Sequence, residues 1–396
     1  MEPFTVAGIR VGVARAGIKY PDRRDLVVIE ASAGTQVAAV FTQNAFCAAP
    51  VRVARAHLAA AIPRYLVINT GNANAGTGAP GLAAAQATCQ ALAERTGCHP
   101  EEVLPFSTGV IGEPLPVERL VAGLPAALWA LQPEGWTEAA HGIMTTDTRP
   151  KWASRRMTLN GREVTVTGIA KGAGMICPNM ATLLAFIATD AAVAPTLLQR
   201  ILHEAVADSF NAITVDGDTS TNDSLVLLAT GQSGVNIPPS GKDHACFAEA
   251  VREVCIELAQ AIIRDGEGAT KFITVQVEGG QDVAECRQVA YTVAHSPLVK
   301  TAFFASDPNW GRILAAVGRA GLSHLDLEQV MIHLDEICIV RAGGRSPDYT
   351  EAQGQQVMAR PDITIRIDLG RGAAAARIWT TDFSFDYVRI NAEYRT

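Results

Sequence analysis

Layered α/β or α+β architecture is the fold class that this sequence predicts, on three observations. Stretches of β-rich composition alternate along the chain with stretches whose apolar residues recur at helical spacing. The 396 residues exceed what one hydrophobic core serves, which implies two or three domains. Apolar residues make up 48% of the chain, ample for packed cores, and the many glycines and alanines suit close backbone packing.

Taken in order, VAGIRVGVA, DLVVIEA and QVAAVFT read as short strands separated by turn residues. VRVARAHLAAA reads as a short helix or a strand running into one. A strand at Tyr65–Asn69 then ends in the Asn-Gly-Thr run TGNANAGTG, whose residues turn sharply and leave backbone N–H groups free. Residues 81–96 make a helix that stops before Gly97. PFSTGVIGEPLP follows, with a Thr-Gly pair that reads either as a plain turn or as one hydroxyl and one N–H facing the same oxygen. The helix predicted over Val117–Leu131 has Pro125 inside, expected to kink or divide it.

A short helical piece at Thr137–Ile143 precedes MTTDTRPK, a polar loop with Asp147 and Arg149. Residues 157–174 read as a hairpin turning at Asn160-Gly161, whose second strand delivers Lys171. Leu197, Leu198, Ile201, Leu202, Ala205, Val206 and Phe210 repeat at helical spacing. The following TVDGDTSTND places Asp216, Asp218 and Asp223 in a loop between strands. Their spacing is not that of an EF-hand, and loop architecture is the reading preferred over a cation site. The longest helical pattern covers His244–Asp265 and ends at GEGATK around Glu267. Beyond it come a strand at KFITVQVEG, one helix over Asp282–Val299, the loop SDPNWGR, a small helix and a strand-rich finish.

Several function classes are excluded or unsupported. A formal charge of −7, few aromatics and no long basic run argue against nucleic-acid binding. The eight cysteines are scattered without a CxxC pair, which fits a reducing cytoplasm and suggests no zinc ribbon or disulfide framework. No HExxH or Walker A pattern occurs, and the segment TGNANAGTG does not contain GxGxxG. No signal peptide is expected at the N-terminus, and no apolar run is long enough to span a membrane.

The richest stretch is Lys171–Val193, KGAGMICPNMATLLAFIATDAAV. Glycines and a Pro-Asn turn lead into Ala181-Thr182, then the apolar run Leu183–Ala188. An ordinary strand start is one reading. The other is chemical: breaking the Ala181–Thr182 bond creates an α-amine beside the threonine hydroxyl. With a reference pKa near 8, that amine serves as general base without a histidine. The hydroxyl's attack on the preceding carbonyl, favoured by a strained turn, would shift the amide to an ester before hydrolysis. Cys177 and Ser107 are rival nucleophiles, but no histidine neighbours Cys177 in sequence and Ser107 lacks the GxSxG elbow.

GVARAGIKYPDRRDL, INTGNANAGTG, STGVIGEPL, MTTDTRPK, KGAGMICPNMATLLAFIATDA, TVDGDTSTND, RDGEGATKF, ASDPNWGRI and YVRINAEYRT, in this order and over nearly the whole chain, resemble the ornithine acetyltransferase family of arginine biosynthesis. Its bifunctional members are glutamate N-acetyltransferases. The resemblance implies an αββα-like sandwich of the self-processing N-terminal-threonine type, with a smaller C-terminal α/β region. It implies self-cleavage between Ala181 and Thr182. Residues 1–181 would form the α chain and most of the first α/β domain. Residues 182–396 would form the β chain, completing the shared sheet, with the smaller region at about 275–396.

By the same resemblance, Thr182 carries acetyl from N2-acetylornithine to glutamate in a ping-pong cycle, and Thr108 and Gly109 form the oxyanion hole. Thr148, Lys171, Thr182, Glu267, Asn391 and Thr396 match the substrate-binding positions. Lys171 is suited to a substrate carboxylate and Glu267 to an ammonium. No cofactor and no metal are implied; acetyl-CoA is a candidate second acetyl donor. The expected assembly is an α2β2 heterotetramer in the cytoplasm, with no nucleic-acid or membrane partner. Cys177 departs from the small residue, often alanine, expected there, and Leu183 from a common methionine. A monofunctional transferase, a related N-terminal-nucleophile aminopeptidase and a noncatalytic scaffold are the alternatives.

Overall fold

The computed structural model describes residues 2–177 and 183–393. Ala181, Thr182 and Thr396 lie outside the described residues. The chain divides into two compact units, residues 1–211 with 218–262, and residues 212–217 with 263–396.

In the first unit, β1 (Ile9–Ala14), β2 (Leu26–Ala31), β3 (Gln36–Phe41) and α1 (Ala49–Ala60) come first. They are followed by β4 (Tyr65–Asn72), α2 (Gly78–Thr96), β5 (Val103–Val110), α3 (Val117–Trp129) and α4 (Trp136–Gly142). The hairpin β6 (Lys151–Leu159) and β7 (Arg162–Lys171) precedes β8 (Leu184–Thr189), α5 (Pro195–Ala207), β9 (Ser224–Ala229) and α6 (Lys242–Arg264). One sheet has the order β1-β2-β4-β5 and the other β3-β9-β8-β7-β6, so β8 is the middle strand of five.

The inner faces of these sheets form one core. Ile29, Leu66, Ile68 and Phe106 of the first meet Ile169, Leu184, Phe186 and Val226 of the second. Phe106 and Phe186 pack edge to face at 5.1 Å. On the outer face of the first sheet, Leu26, Val28 and Val67 pack with Leu92 of α2 and with Leu120 and Leu124 of α3. Gly168 of β7 leaves room on the other outer face, where an added Cβ would come within 3.1 Å of Leu258 and 3.3 Å of Val254, both on α6. Helix, sheet, sheet, helix is the αββα sandwich that the resemblance implied. With both faces covered, every residue of β8 and β9 is buried, which explains their continuous apolar runs.

The Asn160-Gly161 turn forms as expected, with φ of 49° and 73° at the two residues, matching the twist of the flanking strands. Pro125 does not divide its helix, one of the two outcomes expected of it. The helix is continuous from Val117 to Trp129, because burial of Leu120, Gly123, Leu124 and Ala127 along one face outweighs the one backbone bond that proline forgoes.

The second unit contains β10 (Phe272–Gly280), α7 (Val283–Ala294), α8 (Pro297–Phe304), α9 (Trp310–Gly318), β11 (Met331–Leu334), β12 (Ile337–Arg341) and β13 (Gly344–Arg345). It ends in α10 (Glu351–Met358), β14 (Asp362–Asp368), β15 (Ala374–Thr381) and α11 (Phe385–Ala392). Its sheet order is β13-β12-β11-β14-β10-β15. The single helix expected over Asp282–Val299 is two. Ser296 accepts the N–H of Val299 as an N-cap and Pro297 follows at the first helical position, a restart signal legible in the Ser-Pro pair. Among the described residues no helix is long and apolar enough to cross a membrane.

Candidate active site

Thr108 and Gly109 lie at the end of β5, where it pairs in parallel with β4. Thr70 faces Thr108 and Gly71 faces Gly109, and a bulge at Asn72 closes the ladder. Gly109 has φ +136°, and a Cβ there would sit 2.3 Å from the Gly71 carbonyl carbon. Only glycine fits. Beneath this corner runs a buried amide network: Ser107 Oγ donates to Asn69 Oδ1 at 2.6 Å, and Asn69 Nδ2 donates to the Asn72 carbonyl at 2.9 Å. Asn74 N donates to Asn72 Oδ1 at 2.8 Å. The Asn-Gly-Thr run predicted as a strand-end loop is thus a scaffold whose side chains satisfy one another and the backbone.

Lys171 ends β7, paired in register with Leu184 at the start of β8. The polar loop before β6 holds Asp147 beneath it. Asp147 is fully covered, its carboxylate 2.6 Å from Lys151 Nζ, and it accepts the N–H groups of Gly172 at 2.8 Å and Thr145 at 2.9 Å. Burial would raise this carboxyl, but the two lysines Lys171 and Lys151 and these hydrogen bonds overcome it and hold Asp147 well below the usual carboxylate range. On the β9 side, Asp223 has the opposite fate. Burial pushes its carboxyl well above the ordinary value, with Ser220, Lys171 and the Leu183 N–H opposing incompletely. The two buried acids thus shift in opposite directions, although Lys171 favours the charged form of both. Nothing in the sequence separates a buried Asp223 from turn-forming neighbours such as Asp218.

Thr148 is exposed in the loop after Asp147, and Cys177 is half-buried. Glu267 and Asn391 belong to the second unit, where they are brought together. Asn391 Nδ2 donates to Glu267 Oε2 at 2.8 Å and to the Tyr387 carbonyl at 3.0 Å, so α11 covers the GEGATK loop. Gly268 has φ +68°, and a Cβ there would lie 2.5 Å from Ser384 Oγ and from Tyr387 N. Asp382 ties the same loop down, accepting from Thr270 N at 2.8 Å and Lys271 N at 2.9 Å. Sequence reading found the two ends of this arrangement and missed Asp382 and Lys300 behind it.

Lys300 is completely buried. Its ammonium donates to Thr380 Oγ1 at 2.8 Å and to the Thr381 carbonyl, and lies 4.5 Å from the centre of the Phe383 ring. Burial pulls its pKa down to about 7 despite Asp382 and Asp216. The folded value is below the unfolded one, so the unfolded chain binds more protons between about pH 7 and about 10.4, and the native state gains stability as pH rises through that window. The melting temperature of the wild type is expected to rise relative to Lys300→Met from pH 6.5 to pH 9. A constant difference would show that Lys300 does not titrate there.

Two sheets packed face to face between helices, with a glycine-only corner at the end of β5, define a layered α/β sandwich fold. The family model for the ArgJ family matches residues 10–396. Among curated relatives, the arginine biosynthesis bifunctional protein ArgJ of Methylococcus capsulatus is 61% identical over 392 residues, covering 99% of this chain and 96% of that protein. The corresponding protein of Pseudomonas fluorescens is 58% identical over 395 residues, covering 99% and 97%. Among solved structures, that of the arginine biosynthesis bifunctional protein ArgJ from Bacillus halodurans is 38% identical. It covers 51% of this chain and 95% of its own, with a TM-score of 0.49. The chain belongs to the ArgJ family, that of the bifunctional glutamate N-acetyltransferases/ornithine acetyltransferases.

Proposed function

We propose that this chain cleaves its own Ala181–Thr182 bond and then moves acetyl from N2-acetylornithine to glutamate through an ester on Thr182. The Thr182 hydroxyl attacks the acetyl carbonyl as its proton passes to the new α-amine. Thr108 and Gly109 stabilise the tetrahedral oxyanion. The C–N bond breaks, the proton leaves on the ornithine amine, and the amine of glutamate later attacks the ester to regenerate Thr182. Lys171 pairs with a substrate carboxylate and Glu267, held by Asn391, with an ammonium; Thr148 and Thr396 complete the substrate contacts. The α and β chains, residues 1–181 and 182–396, stay together as a cytoplasmic α2β2 heterotetramer. Acetyl-CoA serves as a second acetyl donor.

One observation carries this reading. The strand that begins two residues after Thr182 is the middle strand of its sheet, with Lys171 and Ser224 at register positions on its two sides. A new N-terminus at Thr182 would lead directly into a strand paired on both edges, the rigid support that a nucleophile needs. Intact-mass measurement and N-terminal sequencing are expected to find two pieces, the second starting at Thr182. A fully active chain that stays whole would end the proposal. Glutamate acetylation with labelled acetyl-CoA, set beside labelled N2-acetylornithine, decides the donor range: label transferred from acetylornithine alone makes the enzyme monofunctional.

A further inference from the structure

We propose that Asn222 and Asp223 form a brace that fixes the oxyanion residues of one sheet against the nucleophile-bearing strand of the other. This rests on the roles just given to Thr182, Thr108 and Gly109. The two residues are adjacent, both buried, and sit immediately before β9. They hold different sheets.

Asn222 Nδ2 donates to the Ala73 carbonyl at 2.6 Å and to the Ser107 carbonyl at 2.9 Å. The second bond grips the peptide that joins Ser107 to Thr108. Carbonyls only accept, so the amide has one workable orientation, its nitrogen toward them, which leaves Oδ1 to accept the Thr221 hydroxyl at 2.6 Å. Asp223 faces the other sheet. Its carboxyl accepts the N–H of Leu183, and the next residue, Ser224, donates its N–H to the Leu183 carbonyl at 2.9 Å. Leu183 directly follows Thr182 and is thus held at both its N–H and its C=O. The Asp223 carbonyl in turn accepts Thr42 N at 2.9 Å, tying the brace to the end of β3.

A brace of this kind acts on rate. A small displacement of oxyanion donors from the attacking hydroxyl costs up to about a hundredfold, without loss of the pockets that bind substrate. Asp223 acts through a carboxyl oxygen that accepts the Leu183 N–H, so its amide analogue still offers an oxygen at that position.

The experiment compares Asn222→Ala, Asn222→Asp, Asp223→Ala and Asp223→Asn with wild type and Thr182→Ala. It measures self-cleavage by intact mass, kcat and KM for N2-acetylornithine and glutamate on the cleaved fraction, and thermal melting. Asn222→Ala and Asn222→Asp are expected to lower kcat about tenfold to a hundredfold with KM changed less than about threefold. Asp223→Ala is expected to slow cleavage and transfer together, and Asp223→Asn to restore most of both. Lower melting temperatures with wild-type kcat on the folded fraction would make the pair purely structural and overturn the brace. Asp223→Asn as defective as Asp223→Ala would overturn the role of Asp223 as an acceptor for Leu183. Turnover by Thr182→Ala would instead sink the nucleophile assignment, so the two failures are separable. Asn222→Asp and Asp223→Asn keep shape and volume, which preserves a test if the alanine variants fail to fold.

Discussion

Thr182→Ala is expected to yield an intact chain of 396 residues with no acetyl transfer from either donor. The expected loss in kcat is on the order of 10⁴-fold or more, the scale seen when a nucleophile is removed from a unit that acts together. The reason for so complete a loss is that one hydroxyl is asked to do both jobs. Without it no ester forms with the Ala181 carbonyl, so no α-amine is released, and no acyl carrier exists for the second substrate. On the proposed roles, the oxyanion pair Thr108 and Gly109 would then have no charge to stabilise. Thr182→Ser keeps a hydroxyl and loses only the methyl group, so it is expected to retain both cleavage and transfer. Mass spectrometry of the purified chain and a coupled ornithine-release assay read both outcomes. Turnover by the alanine variant above the background of heat-killed protein would transfer the nucleophile's role to another residue.

The second large effect is on stability. Asp147→Ala, made in the Thr182→Ala background so that one chain is compared with one chain, is expected to cost roughly 3–5 kcal/mol, the penalty for removing one partner of a buried ion pair. Lys151 lies 2.6 Å from Asp147 with both side chains fully covered, and the Gly172 and Thr145 N–H groups lose their acceptor as well. The effect has a definite pH signature. Asp147 titrates below its unfolded value of about 3.9. Its contribution is therefore fully present above that value and is lost as pH falls further, through the depressed folded value. The stability difference between the two chains, from urea titrations, should be flat from pH 6 to pH 8 and shrink below about pH 4. Equal urea midpoints at pH 7 would show that solvent reaches the pair and shields the lysine.

Much of this was legible in residues read singly. Asn160-Gly161 specified its hairpin because few other pairs accept two left-handed backbone conformations. Gly97 stopped α2 at the position expected, with φ +70°. The Ser296-Pro297 restart was also written in the chain, but a continuous apolar pattern on either side hid it. Other features follow from burial, which no local pattern carries. Asp216, Asp218 and Asp223 look alike in sequence. In the structure Asp216 lies 3.4 Å from the Tyr387 hydroxyl in the second unit, while Asp223 is buried in the first with its carboxyl pushed up. The same holds for Pro125, where packing along α3 overrode a local prohibition.

By itself, the sequence determined the layered α/β class, the alternation of elements, the family and the residue types available for acyl transfer, because period, turn chemistry and ordered motifs are properties of neighbouring residues. Only the tertiary structure decided that β8 is the middle strand of its sheet, that Gly109 has no room for a side chain, and that Asn222 and Asp223 reach different sheets. Strand order, close backbone approach and protonation state depend on which distant segments exclude water from one another. That exclusion is a product of the fold, which no stretch of neighbouring residues contains.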